Sequence, residues 1–504
     1  MLITVSAGLF ASLLISTLVN PAGQRPRLPG LYAVLSGLGW WLTLFGVVCL
    51  FSQRPYFSVA FVVVWHGVLM AVNHAKFTAL KEPFILQDFE YFTDALRHPQ
   101  LYIPFFGVAK TLALLAAGAV TIGLFFWLET PLYQKTSGWQ LPISALIVGV
   151  LASIAAWQIR PALSLEPTKD IQQMGLFALF HSHLAEYWKA RKKKLPEPAG
   201  NWPEFKPGKP KPNLVLVQSE SFFDPRPCYP FIEPSVLKHW DQYKAQAASS
   251  GPLSVPAWGA NTVRTEAAVL TGLSQEMLGI HRYNPYRRLL KQPVNALASH
   301  LRAQGYKTIC IHPYPASFYF RDRVMPVLGF DQFIDIKAFT EGDQCGQYIG
   351  DQAVGNKINE LLESTDEPLF IFAITMENHG PLHLEQPEPG LANEVYRQLP
   401  GGPLDDLTVY LRHLKNADRM LSKITTALKA SNRNGSLCWY GDHVPIMPDV
   451  YRNFGEPVAT TPWLIWSTGA QLNTEASENE GQPPMPAHKL AKHWLTTVNT
   501  CQRA

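Results

Sequence analysis

The stretch Asn213-Leu214-Val215-Leu216-Val217-Gln218-Ser219-Glu220 has the pattern of a buried β-strand that ends in an acidic side chain. Its unbroken leucine and valine run is typical of a strand covered on both faces, as in parallel sheets. Three more apolar runs are each followed by a side chain suited to metal or acid–base chemistry. They are residues 307–311 before His312, residues 369–375 before His379, and residues 436–440 before Asp442 and His443. In open α/β sheets, ligands bind beyond the carboxyl ends of the strands, so these side chains should meet in one crevice.

Thr262 stands where a strand-and-turn passage gives way to a helical stretch, Asn261-Thr262-Val263-Arg264-Thr265-Glu266-Ala267-Ala268-Val269-Leu270-Thr271-Gly272-Leu273. A threonine hydroxyl is a weak nucleophile until a base or a metal deprotonates it. At the start of a helix, free backbone N–H groups and the helix dipole favour an alkoxide and a bound phosphate. The alternative is that Asn261 or Thr262 merely caps the helix. The downstream side chains favour the nucleophile.

The chain has 504 residues, too many for one ordinary hydrophobic core, so two or more units are expected. Only 16% of the residues are charged, and the apolar ones are concentrated in residues 1–160, whereas the remainder has the composition of a soluble domain. A net charge of +4 gives no basic field of the kind that nucleic-acid binding needs, and no nucleic-acid module is present. We therefore expect no nucleic-acid partner.

The apolar half predicts an α-helical transmembrane domain over residues 1–160. A spanning helix needs roughly 17–25 largely apolar residues. About five stretches qualify as candidate spans: residues 2–19, 31–51, 57–72, 108–128 and 141–158. The first lacks a basic start and a clear cleavage site, which favours a signal-anchor helix over a removed signal peptide.

Two further regions follow the apolar half. Residues 161–212 are predicted to form a connector, with an amphipathic helix over 170–188 and then an extended linker rich in proline and lysine over 195–212. From residue 213 to 504, apolar strands alternate with helical stretches such as 293–304, 350–364 and 405–429. That alternation predicts an α/β domain with a mostly parallel central sheet covered by helices.

The soluble part holds five of the six cysteines, with no CxxC pair and no zinc-finger spacing. If the domain is exported, Cys228 and Cys345 are candidates for a disulfide, although the sequence does not assign one. Residues 385–402 and 471–486 are expected to be exposed loops.

Glu220, Asp442 and His443 are the candidate metal ligands, with the Thr262 hydroxyl completing the site. Carboxylate oxygens with one imidazole suit one divalent ion such as manganese, magnesium or zinc. Gly441 allows the sharp turn that lets Asp442 and His443 face the same centre. By itself a Gly-Asp-His sequence is often only a turn. Its place after a buried strand near the end of an α/β domain favours a site.

His312, Arg321 and His379 are the candidate phosphate and hydroxyl binders. A guanidinium can hold phosphate bidentately, and a histidine can bind substrate or protonate a leaving oxygen. The structural alternatives are a core histidine for His312 and a surface ion pair with Asp322 or Asp331 for Arg321. For Arg264 the sequence supports two interpretations equally: a contact to phosphate, or an exposed position on the helix.

These residues resemble the lipoteichoic acid synthase and phosphoglycerol transferase family, the membrane-anchored branch of the alkaline phosphatase and sulfatase superfamily. The resemblance covers essentially the whole chain. The matching motifs are residues 213–222, residues 261–273, His312 with residues 318–322, residues 328–331, Asn378-His379 and Gly441-Asp442-His443. No Cys-x-Pro-x-Arg or Ser-x-Pro-x-Arg sequence stands at the nucleophile, which argues against a formylglycine-dependent sulfatase.

The resemblance implies roles for particular residues. One divalent metal, manganese as the first choice, would be bound by Glu220, Thr262, Asp442 and His443. Thr262 would also be the nucleophile. His312, Arg321 and His379 would contact glycerol phosphate. Tyr319 stands where the family usually has tryptophan, which leaves that substrate contact in doubt. Arg264 replaces part of a serine- and aspartate-rich run, and Glu266 is retained.

The predicted function is a metal-dependent phosphoglycerol transferase of the bacterial cytoplasmic membrane, with the catalytic domain of residues 213–504 on the extracytoplasmic side. It would take glycerol phosphate from phosphatidylglycerol onto Thr262 and pass it to a glycan or polymer acceptor of the cell envelope. The resemblance implies this orientation, although Arg25 and Arg27 would then lie outside, against the positive-inside rule. Alternatives are a phosphoethanolamine transferase, a phosphodiester hydrolase, or a non-catalytic scaffold that binds envelope glycan or lipid.

Overall fold

The computed structural model describes residues 2–19, 30–91, 108–132, 138–198, 202–206, 210–468 and 483–501. Arg25 and Arg27, which bear on orientation, lie outside the described residues, as does most of the expected loop at 471–486. The chain forms two compact units, Met1–Lys193 and Lys194–Ala504.

The first unit is α-helical. Its helices are Leu2–Val19, Leu31–Ser52, Pro55–Leu80, Val108–Leu128, Gln140–Gln158, Pro167–Met174 and Leu176–Ala190. Three of them, Leu31–Ser52, Pro55–Leu80 and Gln140–Gln158, are long and apolar enough to cross a membrane. At the other two predicted spans the described apolar stretches are shorter, Ile3–Ser16 and Ala116–Leu128. Length and composition therefore support three of the five predicted spans.

Small residues let the helices Leu31–Ser52 and Gln140–Gln158 pack closely. A Cβ on Gly149 would lie 2.7 Å from the backbone nitrogen of Thr43, and one on Gly39 would lie 3.1 Å from the backbone nitrogen of Ser153. Glycine is therefore required at both contacts, as is common where helices meet without water. The amphipathic helix expected over 170–188 is interrupted at Gly175, which has φ 78°. It forms two helices instead, Pro167–Met174 and Leu176–Ala190.

The second unit is built on one eight-stranded sheet. The strands, numbered in chain order, are β1 Asn213–Ser219, β2 Ser249–Ser254, β3 Lys307–Ile311, β4 Gln332–Ile334, β7 Leu369–Ile374, β8 Gly435–Gly441, β9 Thr460–Ser467 and β10 Met485–Pro486, while β5 Gln344–Cys345 and β6 Tyr348–Ile349 form a separate hairpin. The sheet order is β10-β2-β9-β8-β1-β7-β3-β4. β9 runs antiparallel to both neighbours, and all other pairings are parallel. The expected mostly parallel sheet is thus confirmed.

Helices cover both faces of this sheet. They are Lys238–Ala245, Thr262–Thr271, Gln275–Leu278, Pro285–Leu289, Leu297–Ala303, Arg321–Leu328, Asp351–Glu363, Leu391–Val395, Asp405–Ala430, Pro448–Phe454 and Ala487–Cys501. β1 shows why: Val215 and Val217 pack into one core cluster, and Leu214 and Leu216 into the other. All seven residues of β1 are buried, as the sequence pattern predicted for a central parallel strand.

The strand order decides where the site lies. β8, β1, β7 and β3 are consecutive neighbours, and they run in the same direction. Glu220, His312 and Asp442 each stand directly after one of these strands. Their side chains therefore emerge at a single edge of the sheet. The expectation that residues 385–402 form an exposed loop is only partly met. Residues 385–402 hold the helix Leu391–Val395, whose first and last residues are buried, rather than an exposed loop throughout.

Candidate active site

Three buried side chains converge at this edge. Glu220, Asp442 and His443 each offer one ligand atom, and these atoms all lie within 4.8 Å of one another. His443 Nε2 is 3.4 Å from Glu220 Oε1 and 3.3 Å from Asp442 Oδ2. Glu220 follows β1 and the other two follow β8, so the parallel pairing of these strands brings together residues more than 200 positions apart.

Hydrogen bonds fix the orientation of each of the three side chains. Ser221 donates from its backbone nitrogen to Asp442 Oδ1 at 2.8 Å and from its hydroxyl to Glu220 Oε1 at 3.0 Å. Ser221 has φ 51°, a left-handed conformation that is uncommon outside glycine and typical of functional turns. His443 Nδ1 lies 3.1 Å from the Val444 carbonyl oxygen, which can only accept a hydrogen bond. Nδ1 therefore carries the proton in neutral His443, and Nε2 faces the two carboxylates.

The cluster brings the carboxyl groups of Glu220 and Asp442 together in the protein interior. Burial raises the pKa of Asp442, and the charge of Glu220 raises it further, to about 7. Burial by itself lowers the pKa of His443, but the carboxylates of Asp442 and Glu220 outweigh that effect and raise it. The raised pKa of Asp442 thus reflects burial first and the Glu220 charge second, whereas the raised pKa of His443 reflects the two carboxylates.

Thr262 lies against this cluster. Its Oγ1 is 3.5 Å from Glu220 Oε2 and 3.5 Å from His443 Nε2. Thr262 is the first residue of the helix Thr262–Thr271, and Asn261 before it makes no side-chain capping hydrogen bond. The Thr262 hydroxyl is thus directed to the carboxylate and the imidazole. Capping by the Asn261 side chain is not seen, and the reactive role of Thr262 stays a prediction.

The cluster fits one divalent cation. Asp442 is fully buried, and its Oδ2 has no hydrogen-bond partner among the described residues. Such an atom is costly unless a proton or a cation satisfies it. Two carboxylates, one imidazole with a free Nε2 and a hydroxyl form a donor set for manganese, magnesium or zinc. Glu220, Asp442, His443 and Thr262 are the residues that would hold the ion.

Beside this cluster lies a buried ion pair that involves Arg321. Its Nε donates to Glu266 Oε1 at 3.1 Å and its Nη2 to Glu266 Oε2 at 2.8 Å. Burial by itself would lower the pKa of Arg321, but the charge of Glu266 outweighs that effect and raises the pKa above its usual value. The alternative of a surface pair with Asp322 or Asp331 is wrong, because Arg321 is only 1% exposed. Asp331 instead accepts hydrogen bonds from Thr308.

His312 orients the remaining edge of Arg321. Its Nε2 lies 3.1 Å from Arg321 Nη1, and its Nδ1 lies 3.3 Å from the carbonyl oxygen of Ile374. Burial and the positive charge of Arg321 hold the pKa of His312 well below its usual value. His312 is therefore neutral near neutral pH, with Nδ1 donating and Nε2 accepting.

His379 stands in a turn after β7. Its Nδ1 lies 2.7 Å from the Gly380 carbonyl oxygen and 3.3 Å from the hydroxyl of Tyr348. Burial is the main cause that lowers its pKa to about 4. The charges of His443 and Arg321 also lower this pKa, and the charge of Asp442 raises it.

Tyr319 and Arg264 occupy different surroundings. The Arg321 guanidinium lies 5.4 Å from the Tyr319 ring centroid. Tyr319 has φ 56° and Phe320 has φ 58°, two consecutive left-handed aromatic residues, which is a strained arrangement. Arg264 is buried, so the exposed reading is wrong; its guanidinium lies 5.3 Å from the Tyr283 ring, and its Nε lies 3.4 Å from the Tyr283 carbonyl oxygen.

The sequence did not reveal the residues that support these side chains. Glu266 accepts from Arg321, from the Tyr286 hydroxyl and from Gln218, whose amide oxygen in turn accepts from Tyr440. Glu266 stands one turn after Thr262 on the same helix, and the family resemblance marked it as retained, but neither signal identified Arg321 as its partner. The candidate cysteines Cys228 and Cys345 form no disulfide in this structure, since both are free thiols.

Comparison with known proteins places this fold and cluster in a family. The Sulfatase family profile matches residues 212–499. The chain is 24% identical over 430 residues to the capsular polysaccharide biosynthesis protein RkpI of Rhizobium meliloti, covering 81% of this chain and 76% of that protein. It is 26% identical over 146 residues to lipoteichoic acid synthase 1 of Bacillus subtilis, covering 28% of this chain and 22% of that protein.

The fold also matches a solved membrane protein over nearly its whole length. Lipooligosaccharide phosphoethanolamine transferase A (EptA) of Neisseria meningitidis aligns over 94% of this chain and 96% of its own, with a TM-score of 0.55 and 11% identity. At that identity the likeness concerns the fold alone. Because the profile match over residues 212–499 spans more than half of the chain, the chain belongs to the Sulfatase family.

Proposed function

We propose that this protein is a phosphotransferase that moves glycerol phosphate from phosphatidylglycerol to a cell-envelope glycan or polymer through a covalent intermediate on Thr262. The observation that carries the proposal is the position of Thr262 Oγ1, 3.5 Å from both Glu220 and His443 at the start of a helix. A hydroxyl in that position is next to its activating groups and to free backbone N–H donors for a phosphoryl oxygen.

In the first half-reaction, Thr262 Oγ1 attacks the phosphorus of the lipid. The P–Oγ bond forms, the bond to the diacylglycerol oxygen breaks, and diacylglycerol leaves with a proton. A bound divalent cation supplies charge neutralisation at the phosphoryl oxygens and a lower pKa for the threonine hydroxyl. Arg321 keeps its charge at any physiological pH, and Glu266 and His312 fix the plane of its guanidinium. We assign Arg321 the role of holding the phosphoryl group or the glycerol.

In the second half-reaction, an acceptor hydroxyl attacks the same phosphorus and displaces Thr262. We assign the proton of that hydroxyl to His379, because its Nδ1 lies 2.7 Å from the Gly380 carbonyl oxygen and its Nε2 is therefore left as an acceptor. His312 is engaged at both nitrogens and is instead a support for Arg321. Catalysis in this scheme rests mainly on positioning and on electrostatic stabilisation.

The names of two relatives support the proposed class of acceptor. RkpI is named for capsular polysaccharide biosynthesis and the Bacillus subtilis protein for lipoteichoic acid synthesis. Both names concern polymers of the envelope, which supports a glycan or polymer acceptor here. Such a role requires the second unit on the extracytoplasmic side of the bacterial cytoplasmic membrane, which is part of the proposal, as is manganese as the metal.

The test is an adduct assay on the purified full-length chain in detergent, loaded with manganese and mixed with fluorescent phosphatidylglycerol. We expect release of fluorescent diacylglycerol and a glycerol phosphate adduct on the peptide that contains Thr262. The variant Thr262→Ala should release none, while Thr426→Ala, an exposed helix position, should match the wild type. Release at the wild-type rate by Thr262→Ala would rule out the proposed intermediate.

The same assay separates the rival activities. With phosphatidylethanolamine as donor, an ethanolamine phosphate adduct would assign the protein to the phosphoethanolamine transferases instead. Rapid loss of the adduct to water, with no transfer to added glycan, would identify a phosphodiester hydrolase. No metal at near-stoichiometric level and no adduct from either lipid would favour a binding scaffold.

A further inference from the structure

A tyrosine that the catalytic scheme has not used lies against His379. Tyr348 begins the second strand of the hairpin Gln344–Cys345 and Tyr348–Ile349. Its hydroxyl is 3.3 Å from His379 Nδ1 and 3.3 Å from the Gly380 carbonyl oxygen. The two rings meet edge to face, with centroids 5.4 Å apart. The hydroxyl and the ring of Tyr348 therefore both restrict His379.

These contacts select one tautomer of His379. The Gly380 carbonyl oxygen can only accept a hydrogen bond, and it lies 2.7 Å from Nδ1, so Nδ1 carries the hydrogen. The Tyr348 hydroxyl donates to the same carbonyl oxygen and offers its own oxygen to the Nδ1 hydrogen. In neutral His379 the other nitrogen, Nε2, then holds a lone pair.

The hairpin is itself anchored to the turn that carries His379. Gln347 donates from its side chain to the Pro381 carbonyl oxygen at 3.1 Å and from its backbone nitrogen to Glu385 Oε1 at 3.3 Å. Glu385 is in turn bound by Arg412 and His413 of the long helix Asp405–Ala430. A polar chain therefore connects a rigid helix to the hairpin, as expected where a reactive group needs a fixed orientation.

We propose that Tyr348 is a positioning residue that holds His379 in the Nδ1–H tautomer, so that Nε2 accepts the proton of the attacking hydroxyl in the second half-reaction. The inference rests on the proposed function and deepens it. In that step the hydroxyl oxygen bonds to phosphorus and its proton passes to His379 Nε2. The bond between phosphorus and Thr262 Oγ1 breaks with its electron pair, and the proton then leaves His379 for solvent.

The test uses bis(p-nitrophenyl) phosphate with the manganese-loaded full-length chain. The nitrophenolate leaving group needs no acid, so an initial burst reports formation of the Thr262 adduct, and the steady rate reports its breakdown by water. In Tyr348→Phe we expect an unchanged burst and a steady rate lower by roughly three- to tenfold, the kinetic equivalent of one hydrogen bond. Because the substrate carries neither glycerol nor ethanolamine, a wrong headgroup assignment leaves this readout intact.

A double-mutant cycle isolates the action through His379. In a His379→Gln background, Tyr348→Phe should cause no further loss, because the group that Tyr348 orients is gone. The inference is overturned if Tyr348→Phe keeps the wild-type steady rate, or if it slows both backgrounds by the same factor. Thermal unfolding of each variant checks that the fold is retained, and Tyr348→Leu tests the contribution of the ring.

A second measurement needs no turnover, so it distinguishes failure of this inference from failure of the proposed function. The imidazole nitrogen-15 spectrum of the histidine-labelled full-length chain reports the tautomer of His379, assigned by difference from His379→Gln. We expect the Nδ1–H form in the wild type and an admixture of the Nε2–H form in Tyr348→Phe. An Nε2–H form in the wild type overturns the inference, even if Thr262 is shown to form the adduct.

Discussion

Arg321 and Glu266 form a bidentate ion pair in the interior of the second unit, with nitrogen–oxygen distances of 3.1 and 2.8 Å and exposures of 1% and 0%. The pair joins the helix that begins at Thr262 to the helix that begins at Arg321. It leaves Arg321 Nη1 to His312. The guanidinium is thus held on two sides by protein groups. Under the proposed function, this fixed orientation would lower the cost of binding a phosphoryl group.

Removal of one partner of this pair should be severe. We predict that Glu266→Gln lowers the stability of the second unit by about 3–5 kcal/mol, because Arg321 keeps a buried charge without its counter-ion. Thermal unfolding of the full-length chain measures the loss. Asp322→Asn, at an exposed neighbouring position, is the matched control and should leave the unfolding temperature unchanged. Equal unfolding temperatures for Glu266→Gln and the wild type would contradict the prediction.

A second prediction concerns the hydrogen bond that links the helix Thr262–Thr271 to the cluster of Glu220, Asp442 and His443. The Thr265 hydroxyl donates to the Asp442 carbonyl oxygen at 2.8 Å, with both residues buried. In Thr265→Val the shape is retained and this bond is lost, so we expect metal affinity to fall roughly tenfold, as for other losses of support around metal ligands.

Calorimetric titration of the metal-free chain with manganese measures this affinity. Thr426→Val is the control, because its hydroxyl donates only to the Ser422 carbonyl oxygen of its own helix at an exposed position. An affinity of Thr265→Val equal to that of the control would show that the link does not support the cluster.

A third prediction is the pH dependence of metal binding. The pKa of Asp442 is raised to about 7, and that of His443 is also raised, so the metal-free fold binds protons more tightly than the unfolded chain does. The resulting stabilisation is complete below the unfolded pKa of aspartate, about 4, and is lost as the pH rises through about 7. A cation needs the deprotonated carboxylate and a free imidazole nitrogen.

The rise in unfolding temperature on adding manganese should therefore grow between about pH 5 and about pH 8, because metal binding no longer competes with protons. Thermal scans of the wild type with and without metal measure it. In Asp442→Asn the metal-dependent rise should be small at every pH. A rise in the wild type that is independent of pH would show that these two groups do not titrate as inferred.

A fourth prediction follows from the free thiols of Cys228 and Cys345. Because the chain has no disulfide among its described residues, a reducing agent should not change the unfolding temperature. Unfolded, unreduced protein should take up thiol reagent at both positions, as measured by peptide mass spectrometry. Protection of either peptide without reduction would show that a bridge forms.

The sequence by itself determined the elements and the chemistry they carry. A short valine- and leucine-rich run such as Leu214–Val217 favours a buried strand of a parallel sheet, and the polar side chain that follows it then stands at the strand's carboxyl end. That local rule located Glu220, His312, Asp442 and His443, and the helix start located Thr262. The boundaries of β3 came out as predicted, because lysine and histidine flank its apolar run.

Only the tertiary structure decided which of these side chains meet and which partners hold them. Strand order places β8, β1, β7 and β3 side by side, and no periodicity in the sequence encodes that order. Arg321 pairs with Glu266, 55 positions away in the chain, and not with an acidic residue at the surface. This pairing depends on how the helices that carry the two residues pack together. The reason is physical: a buried charge takes whichever counter-charge the fold brings within reach, whereas a local pattern reports only burial and direction.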